Sequence, residues 1–275
     1  MIHKIKYLFL KYITPQRMIN WRLISFFKRI TWYKNDNLLY DEKWQFFYEP
    51  DSEIGSLLFW KQGFEEEDIR FFSTVINQKK HHVLFDIGAN IGVHTIAWLN
   101  FCPLLQQVYA FEPSRSTKNI LDKNISEHKL QERVTTVALA VADFNGEAAF
   151  FEAADNAYSA LKDTGRKSIK TNYAVPVQTL DTFMQHQNLA NVDFIKIDVE
   201  GAEEQVLKGG IETLKKYKPD LFIEIYKGVN SNNNPEHTVQ MLKDIGYKAY
   251  VLNKGVPQPF ISCNDELYNY YFTVN

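Results

Sequence analysis

From His82 onward, short apolar runs alternate with longer stretches in which apolar residues recur every three or four positions. Runs of four to six apolar residues fit strands buried on both faces, and the intervening period fits helices packed over them. The pattern predicts strands at Val83–Asp86, Val108–Phe111, Val134–Leu139, Phe194–Asp198 and Leu221–Tyr226. It predicts helices at Val93–Asn100, Ser116–Ser126, Thr179–Gln187, Glu203–Lys216 and Pro235–Ile245. Strand and helix in alternation make βαβ units, hence an α/β fold with a mostly parallel sheet and helices on both faces. Asn145-Gly146, flanked by apolar residues, reads as a hairpin turn inserted between the third and fourth strands. Lys248–Leu252 and Leu267–Val274, joined through Lys254-Gly255-Val256-Pro257, read as antiparallel strands finishing the sheet.

Upstream the rhythm differs. Between 36 and 80, the runs Trp44 to Tyr48 and Ser56 to Trp60, a turn at Lys61-Gln62-Gly63 and the acidic start Glu65-Glu66-Glu67-Asp68 predict a small strand pair leading into a helix. Residues 1–35 carry eight Lys or Arg and no acid before Asp36. Ile2, Ile5, Leu8, Phe9, Tyr12 and Ile13, then Ile19, Leu23, Phe26, Phe27 and Ile30, recur at helical spacing on either side of Pro15. Such a basic amphipathic arm suits an anionic membrane face, or packing on its own domain or a second subunit. The expected division is an arm at 1–45, a strand pair and helix at 46–80, and the main domain at 81–275.

Composition narrows this only a little. Hydrophobic residues at 45% and charged residues at 23% are those of a globular protein, and 31 basic against 33 acidic residues give no electrostatic case for nucleic acid. The two cysteines, Cys102 and Cys263, indicate neither a disulfide framework nor a cysteine metal site. The start has a four-residue uncharged apolar run, YLFL, too short for a signal peptide, and no stretch approaches the ~20 apolar residues of a spanning helix. The expected location is therefore cytoplasmic, with peripheral contact at the inner face of a membrane through residues 1–35 as the variant.

Candidate chemistry begins at Phe85-Asp86-Ile87-Gly88-Ala89-Asn90-Ile91-Gly92-Val93-His94-Thr95, a strand entering a glycine-bearing turn and a helix. In open α/β sheets such turns bind ligands at the carboxyl ends of the strands. Asn90 stands where a dinucleotide fingerprint needs its second glycine, and no P-loop is present. Glu112 ends the next strand, where its carboxylate can accept two hydrogen bonds from a ribose diol. Asp86 can meet an ammonium. Ribose and an amino-acid end without phosphate describe S-adenosylmethionine, so Asp86, Gly88, Asn90, Gly92, Thr95 and Glu112 are the expected cofactor-binding residues. Asp143, placed after the third strand, is added for the adenine amino group.

The second element is Ile195-Lys196-Ile197-Asp198-Val199-Glu200-Gly201-Ala202-Glu203. A lysine in a buried run is costly unless paired, so Lys196 needs a carboxylate. Asp198 and Glu200, with Glu224 from the neighbouring strand, would converge on the same sheet edge. A structural network around Lys196, a general base for methyl transfer from a cationic sulfonium, and a divalent cation held by Asp198 and Glu200 all fit. His94 and His186 have no partners at metal or triad spacing and read as structural.

With Asp86-Ile-Gly-Ala-Asn-Ile-Gly92, Phe111-Glu-Pro113 and Ile195-Lys-Ile-Asp-Val-Glu-Gly-Ala-Glu203 in this order, the chain resembles the FkbM family of S-adenosylmethionine-dependent methyltransferases over residues 80 to 226. The likeness extends weakly back to Gly63-Phe64-Glu65. It implies a seven-stranded class I methyltransferase sheet and methylation of a hydroxyl on a sugar, glycan or other small-molecule acceptor. Lys196, Asp198, Glu200 and Glu224 are then the catalytic, acceptor-side residues, with Tyr158 and Ser159 in the insertion over the crevice. Carboxyl methylation, and a membrane-associated binding protein of the same fold without activity, are the alternatives. A nicotinamide oxidoreductase is opposed by Asn90. A homo-oligomer and a divalent cation stay open as expectations.

Overall fold

The computed structural model describes residues 35–39, 42–49, 52–60, 64–226, 235–262 and 266–274. The basic arm, the Lys61-Gln62-Gly63 turn, the polar loop at Asn230 to Asn234 and Cys263 lie outside them. An eight-stranded sheet forms the centre, with strands β3 (Val83–Ile87), β4 (Gln107–Phe111), β5 (Val134–Val137), β9 (Phe194–Ile197), β10 (Asp220–Glu224), β11 (Lys248–Asn253), β12 (Val256–Pro259) and β13 (Asn269–Thr273). Their spatial order is β12-β11-β13-β10-β9-β3-β4-β5. Pairings from β10 to β5 are parallel, and those among β10, β13, β11 and β12 are antiparallel. The strand order reverses beside β3, so a crevice opens at the carboxyl ends of β3 and β9.

Alternation along these buried strands divides two cores. Leu84, Phe194 and Phe222 face one side with Phe72 and Trp98; Phe85, Ile195 and Ile223 face the other with Phe183 and Leu207. On the first side, α2 (Glu66–Lys79) buries Ile69, Phe72, Ser73, Val75 and Ile76, and Phe72 stacks 4.4 Å from Phe222. Helix α3 (Val93–Phe101) adds Trp98. The strand residues are buried on both faces of the sheet, which is why these runs show no polar alternation in sequence.

Several expectations are corrected. Ser56–Trp60 is not a strand but part of helix α1 (Glu53–Trp60), which begins where the Ser52 hydroxyl accepts the Gly55 N–H at 3.0 Å and Asp155 accepts the Glu53 N–H at 3.0 Å. A short apolar run does not distinguish strand from buried helix. The strand pair is instead β1 (Asn35–Leu39) with β2 (Glu42–Phe46), which straddles the boundary placed at residue 45. Phe46, Leu58 and Phe72 lie in one core cluster with Leu84, Trp98 and Phe194, so the 46–80 segment packs on the central sheet.

The predicted Glu203–Lys216 helix divides into α6 (Glu203–Gly209) and α7 (Ile211–Tyr217). A Cβ on Gly209 would stand 2.0 Å from the Ala142 carbonyl oxygen, so the break lets helix and loop backbones touch. The predicted third strand ends early, β5 stopping at Val137, and β6 (Ala140–Val141) beyond it belongs to a second sheet, in which β8 (Ile169–Gln178) lies between β6 and β7 (Gly146–Ala153). Asn145-Gly146 is not a hairpin turn. Gly146 opens β7 (Gly146–Ala153), whose antiparallel partner β8 (Ile169–Gln178) returns only after residues 154–168, while Asn145 accepts the Thr179 N–H ahead of α5 (Leu180–His186). The eighth central strand, β12, arises because Lys254 and Gly255, both at positive φ, make a two-residue hairpin where a longer turn was expected. Helices α4 (Arg115–Glu127) and α8 (Pro235–Asp244) agree with expectation to within a residue or so.

Candidate active site

A cavity of about 710 Å³ lies at the carboxyl ends of β3, β4, β9 and β10, covered by α1, the start of α2 and residues 156–161 of the β7–β8 insertion. One wall is main chain. The N–H groups of Gly88 and Ala89 donate to the Phe111 carbonyl at 3.1 and 2.9 Å, fastening the glycine turn to the end of β4. Gly88 has φ 80°, and a Cβ there would stand 1.8 Å from the Asp198 carbonyl oxygen, so the glycine turn and the Asp198 loop touch backbone to backbone.

Glu112 follows directly. Its Oε1 accepts the Ser114 N–H at 2.8 Å and its Oε2 the Asn90 N–H at 3.0 Å, which fixes the carboxylate and leaves lone pairs facing the cavity. Burial pushes its pKa up to about 7, against the pull of the two N–H donors. Beside it, Phe111, Pro113, Leu139, Ala140 and Val141 form an apolar surface. Asn156 is 6% exposed, lines the same space, and its Oδ1 has no hydrogen-bond partner.

The opposite wall is made of side chains. Lys196 stands across from Asp86 in the β3–β9 register. Its Nζ donates to the Gly88 carbonyl at 2.9 Å and to Asp198 Oδ2 at 3.1 Å, and lies 3.5 Å from Asp86 Oδ1. Burial alone would lower the lysine pKa, but the charges of Asp198, Asp86 and Glu65 outweigh it and hold the ammonium well above its usual range. Glu200, at φ 53°, pairs with Arg166 of the insertion. Burial, then the Asp198 charge, pushes its pKa up to about 8. Glu224 is raised well above the carboxylate range by burial and by Asp198, Glu65 and Glu200.

Of the residues expected at the cofactor, Gly88, Asn90 and Glu112 line the cavity, whereas Asp86, Gly92, Thr95 and Asp143 do not. Asp86 is fully buried beneath the turn, accepting from the Thr95 hydroxyl at 2.6 Å; both serve as a support for Lys196. Gly92 packs against Leu121. Asp143 is exposed beyond β6, and the wall it was expected to serve is the apolar Leu139–Val141. All four acceptor-side residues, Lys196, Asp198, Glu200 and Glu224, line the cavity, as do Tyr158 and Ser159.

Sequence reasoning missed Glu65 and His94. Glu65 takes a left-handed conformation (φ 44°, ψ 39°) ahead of α2, which turns its carboxylate inward to lie 3.1 Å from His94 Nε2. Both line the cavity, His94 from within a packing of Phe64, Trp98 and Phe222. The only signal was the weak Gly63-Phe64-Glu65 likeness. Tyr226 and Tyr268, on the rim, were missed as well. His186 lies outside the cavity, its Nδ1 2.8 Å from Gln178 Nε2. Among the described residues no group of three His, Cys, Asp or Glu is placed to hold a metal ion, and Asp198 and Glu200 are tied to Lys196 and Arg166.

The strand order and the ligand-sized crevice at its reversal define a class I methyltransferase fold. The methyltransferase FkbM domain model matches residues 86–249, more than half of the chain, which therefore belongs to that family of methyltransferases. Among its relatives is a hexuronic acid methyltransferase, AglP, of Haloferax volcanii, 26% identical over 65% of this chain and 69% of the relative. Another is a 2-O-methyltransferase, NoeI, of Sinorhizobium fredii, 27% identical over 50% of this chain and 61% of that one. A crystal structure of an FkbM methyltransferase from Methylobacillus flagellatus superposes with a TM-score of 0.50 at 16% identity, covering 70% of this chain and 44% of that one. Among the described residues no helix is long and apolar enough to cross a membrane.

Proposed function

We propose that the protein methylates a hydroxyl oxygen of a glycan or related small-molecule acceptor, using S-adenosylmethionine. The observation that carries this reading is the division of one cavity into a main-chain wall ending in Glu112 and a carboxylate-rich wall around Lys196. The residues fit the cofactor: Glu112 has acceptor capacity left for a ribose diol, Leu139–Val141 suit an adenine face, and Gly88 and Asn90 line the turn between them and Lys196. When bound, the cofactor supplies an electrophilic methyl group on a positively charged sulfur. Asp198 keeps Oδ1 free of hydrogen bonds among the described residues while Lys196 fixes Oδ2, so it is suited to take the hydroxyl proton as the oxygen–carbon bond forms. Glu200 and Glu224 shape the acceptor side. The name of one curated relative, a 2-O-methyltransferase, favours a hydroxyl acceptor, and that of the other, a hexuronic acid methyltransferase, favours a sugar.

Calorimetric titration with S-adenosylmethionine and its demethylated product tests the cofactor; tighter binding of a nicotinamide dinucleotide would overturn it. The basic residues of 1–35 support seating on an anionic membrane that presents a lipid-linked acceptor. Vesicle co-sedimentation that falls steeply with salt is expected for the full chain, and equal partitioning by a chain starting near Asp36 would remove the arm from that role.

A further inference from the structure

The two walls differ in charge, and the difference bears on the acceptor. Besides Glu112, the acids lining the cavity include Glu65, Asp68, Asp198, Glu200 and Glu224. Its lysine and arginine among the described residues are both engaged. Lys196 is held by Asp198, the Gly88 carbonyl and Asp86, and Arg166 by Glu200. Arg166 is also fixed by aromatic faces, its guanidinium lying 4.4 Å from the Tyr158 ring centre and 4.9 Å from that of Tyr226. An incoming carboxylate would have to take Arg166 from the half-buried Glu200 or His94 from Glu65, or else lie among acids already so crowded that Glu200 and Glu224 hold their protons well above the ordinary carboxylate range.

The unsatisfied groups ask for donors instead. Asn156 Oδ1 is buried without a partner, and the Glu224 carboxyl makes no hydrogen bond among the described residues. Carboxylates and an amide oxygen suit a ligand rich in O–H or N–H donors. Tyr226 and Tyr268, 40% and 41% exposed with ring centres 6.3 Å apart, offer flat apolar surface at the rim. We propose that the acceptor is a polyhydroxylated sugar lacking a carboxylate, neutral or amino-bearing, and that this site rejects the hexuronates named for one of the relatives. The inference rests on the O-methyl-transfer reading and names its substrate class.

The test uses the full chain and four matched methyl glycosides: a hexose, its 2-amino analogue, its hexuronic acid and the neutral hexuronamide. Methyl transfer is followed by mass spectrometry, and binding by saturation-transfer NMR on protein loaded with the demethylated cofactor. The hexuronate should fall below the hexose in kcat/KM by roughly tenfold or more, the low end of what like-charge juxtaposition costs. The hexuronamide, which has nearly the same shape, should recover most of that loss, and the amino sugar should match the hexose. A hexuronate used as well as the hexose overturns the proposal, as does a hexuronamide as poor as the hexuronate, which would make size the cause. Protein that holds the demethylated cofactor yet binds none of the four also overturns it and leaves methyl transfer to another acceptor standing. Failure to bind the cofactor removes the proposed function itself.

Discussion

The two walls of the cavity are built on different principles. The wall around Glu112 comes mainly from one stretch of chain, residues 88–114, with Leu139–Val141 beside it, and is fastened by backbone hydrogen bonds: Gly88 and Ala89 to Phe111, Asn90 and Ser114 to Glu112. The wall around Lys196 gathers Glu65, Arg166, Asp198, Glu200 and Glu224 from segments far apart in sequence, and ion pairs hold it. A ligand common to a whole family can be met by main chain, which tolerates change in side chains. An acceptor peculiar to one protein has to be met by side chains, and these carry the electrostatic strain.

The comparison is broken most forcefully at its shared support. Lys196→Met leaves Asp86 fully buried without its cation, an arrangement that typically costs about 3–5 kcal/mol, so both walls should loosen together. Urea denaturation checks this. A loss under about 1 kcal/mol would mean that Thr95 alone satisfies Asp86.

Next in size is a change confined to the acceptor wall. Asp198→Asn should cut methyl transfer by roughly 10²-fold or more while leaving cofactor affinity nearly unchanged, as expected for loss of a general base. Turnover at the wild-type rate would reduce Asp198 to a partner of Lys196. On the main-chain wall the expectation is reversed. Glu112→Ala should weaken cofactor binding by about 1.5–3 kcal/mol, the range for hydrogen bonds to a charged group. Unchanged affinity in calorimetry, with the variant folded, would take Glu112 off the ribose.

The same division explains what was legible in the sequence. Strands β3, β4, β9 and β10 appear in the order of apolar runs because both faces are buried, and the glycine turn with Glu112 is contiguous enough to be read as a unit. Asp86 was legible as important but not as hidden. Its register opposite Lys196 puts it under the turn, and strand parity alone does not show how high the turn rises above it. Glu65 was invisible because its role depends on a left-handed backbone that nothing in Phe64-Glu65-Glu66 announces, and because it meets His94 only after α2 folds onto the sheet. Asp143 was placed by counting from a strand that in fact ends at Val137. Continuity made the first wall readable, and its absence hid the second.

The smallest effect is also the most specific to the acceptor wall. Glu200 is crowded by burial and by Asp198, so its folded pKa, about 8, lies above the ordinary 4.5 despite Arg166. A group raised on folding contributes stability that is fully present below its unfolded pKa and is lost as pH rises through the folded one. The unliganded protein should therefore lose thermal stability progressively between about pH 5 and pH 9. Glu112 and Glu224, also raised, act in the same sense. Glu200→Gln keeps the shape and removes one of these titrations, so its melting temperature should fall less steeply across that window, while the two proteins converge at the acid end. Differential scanning calorimetry at intervals of pH reads the difference directly. Parallel curves would show that Arg166 fully compensates Glu200, and the strain on this wall would then reside in Glu224.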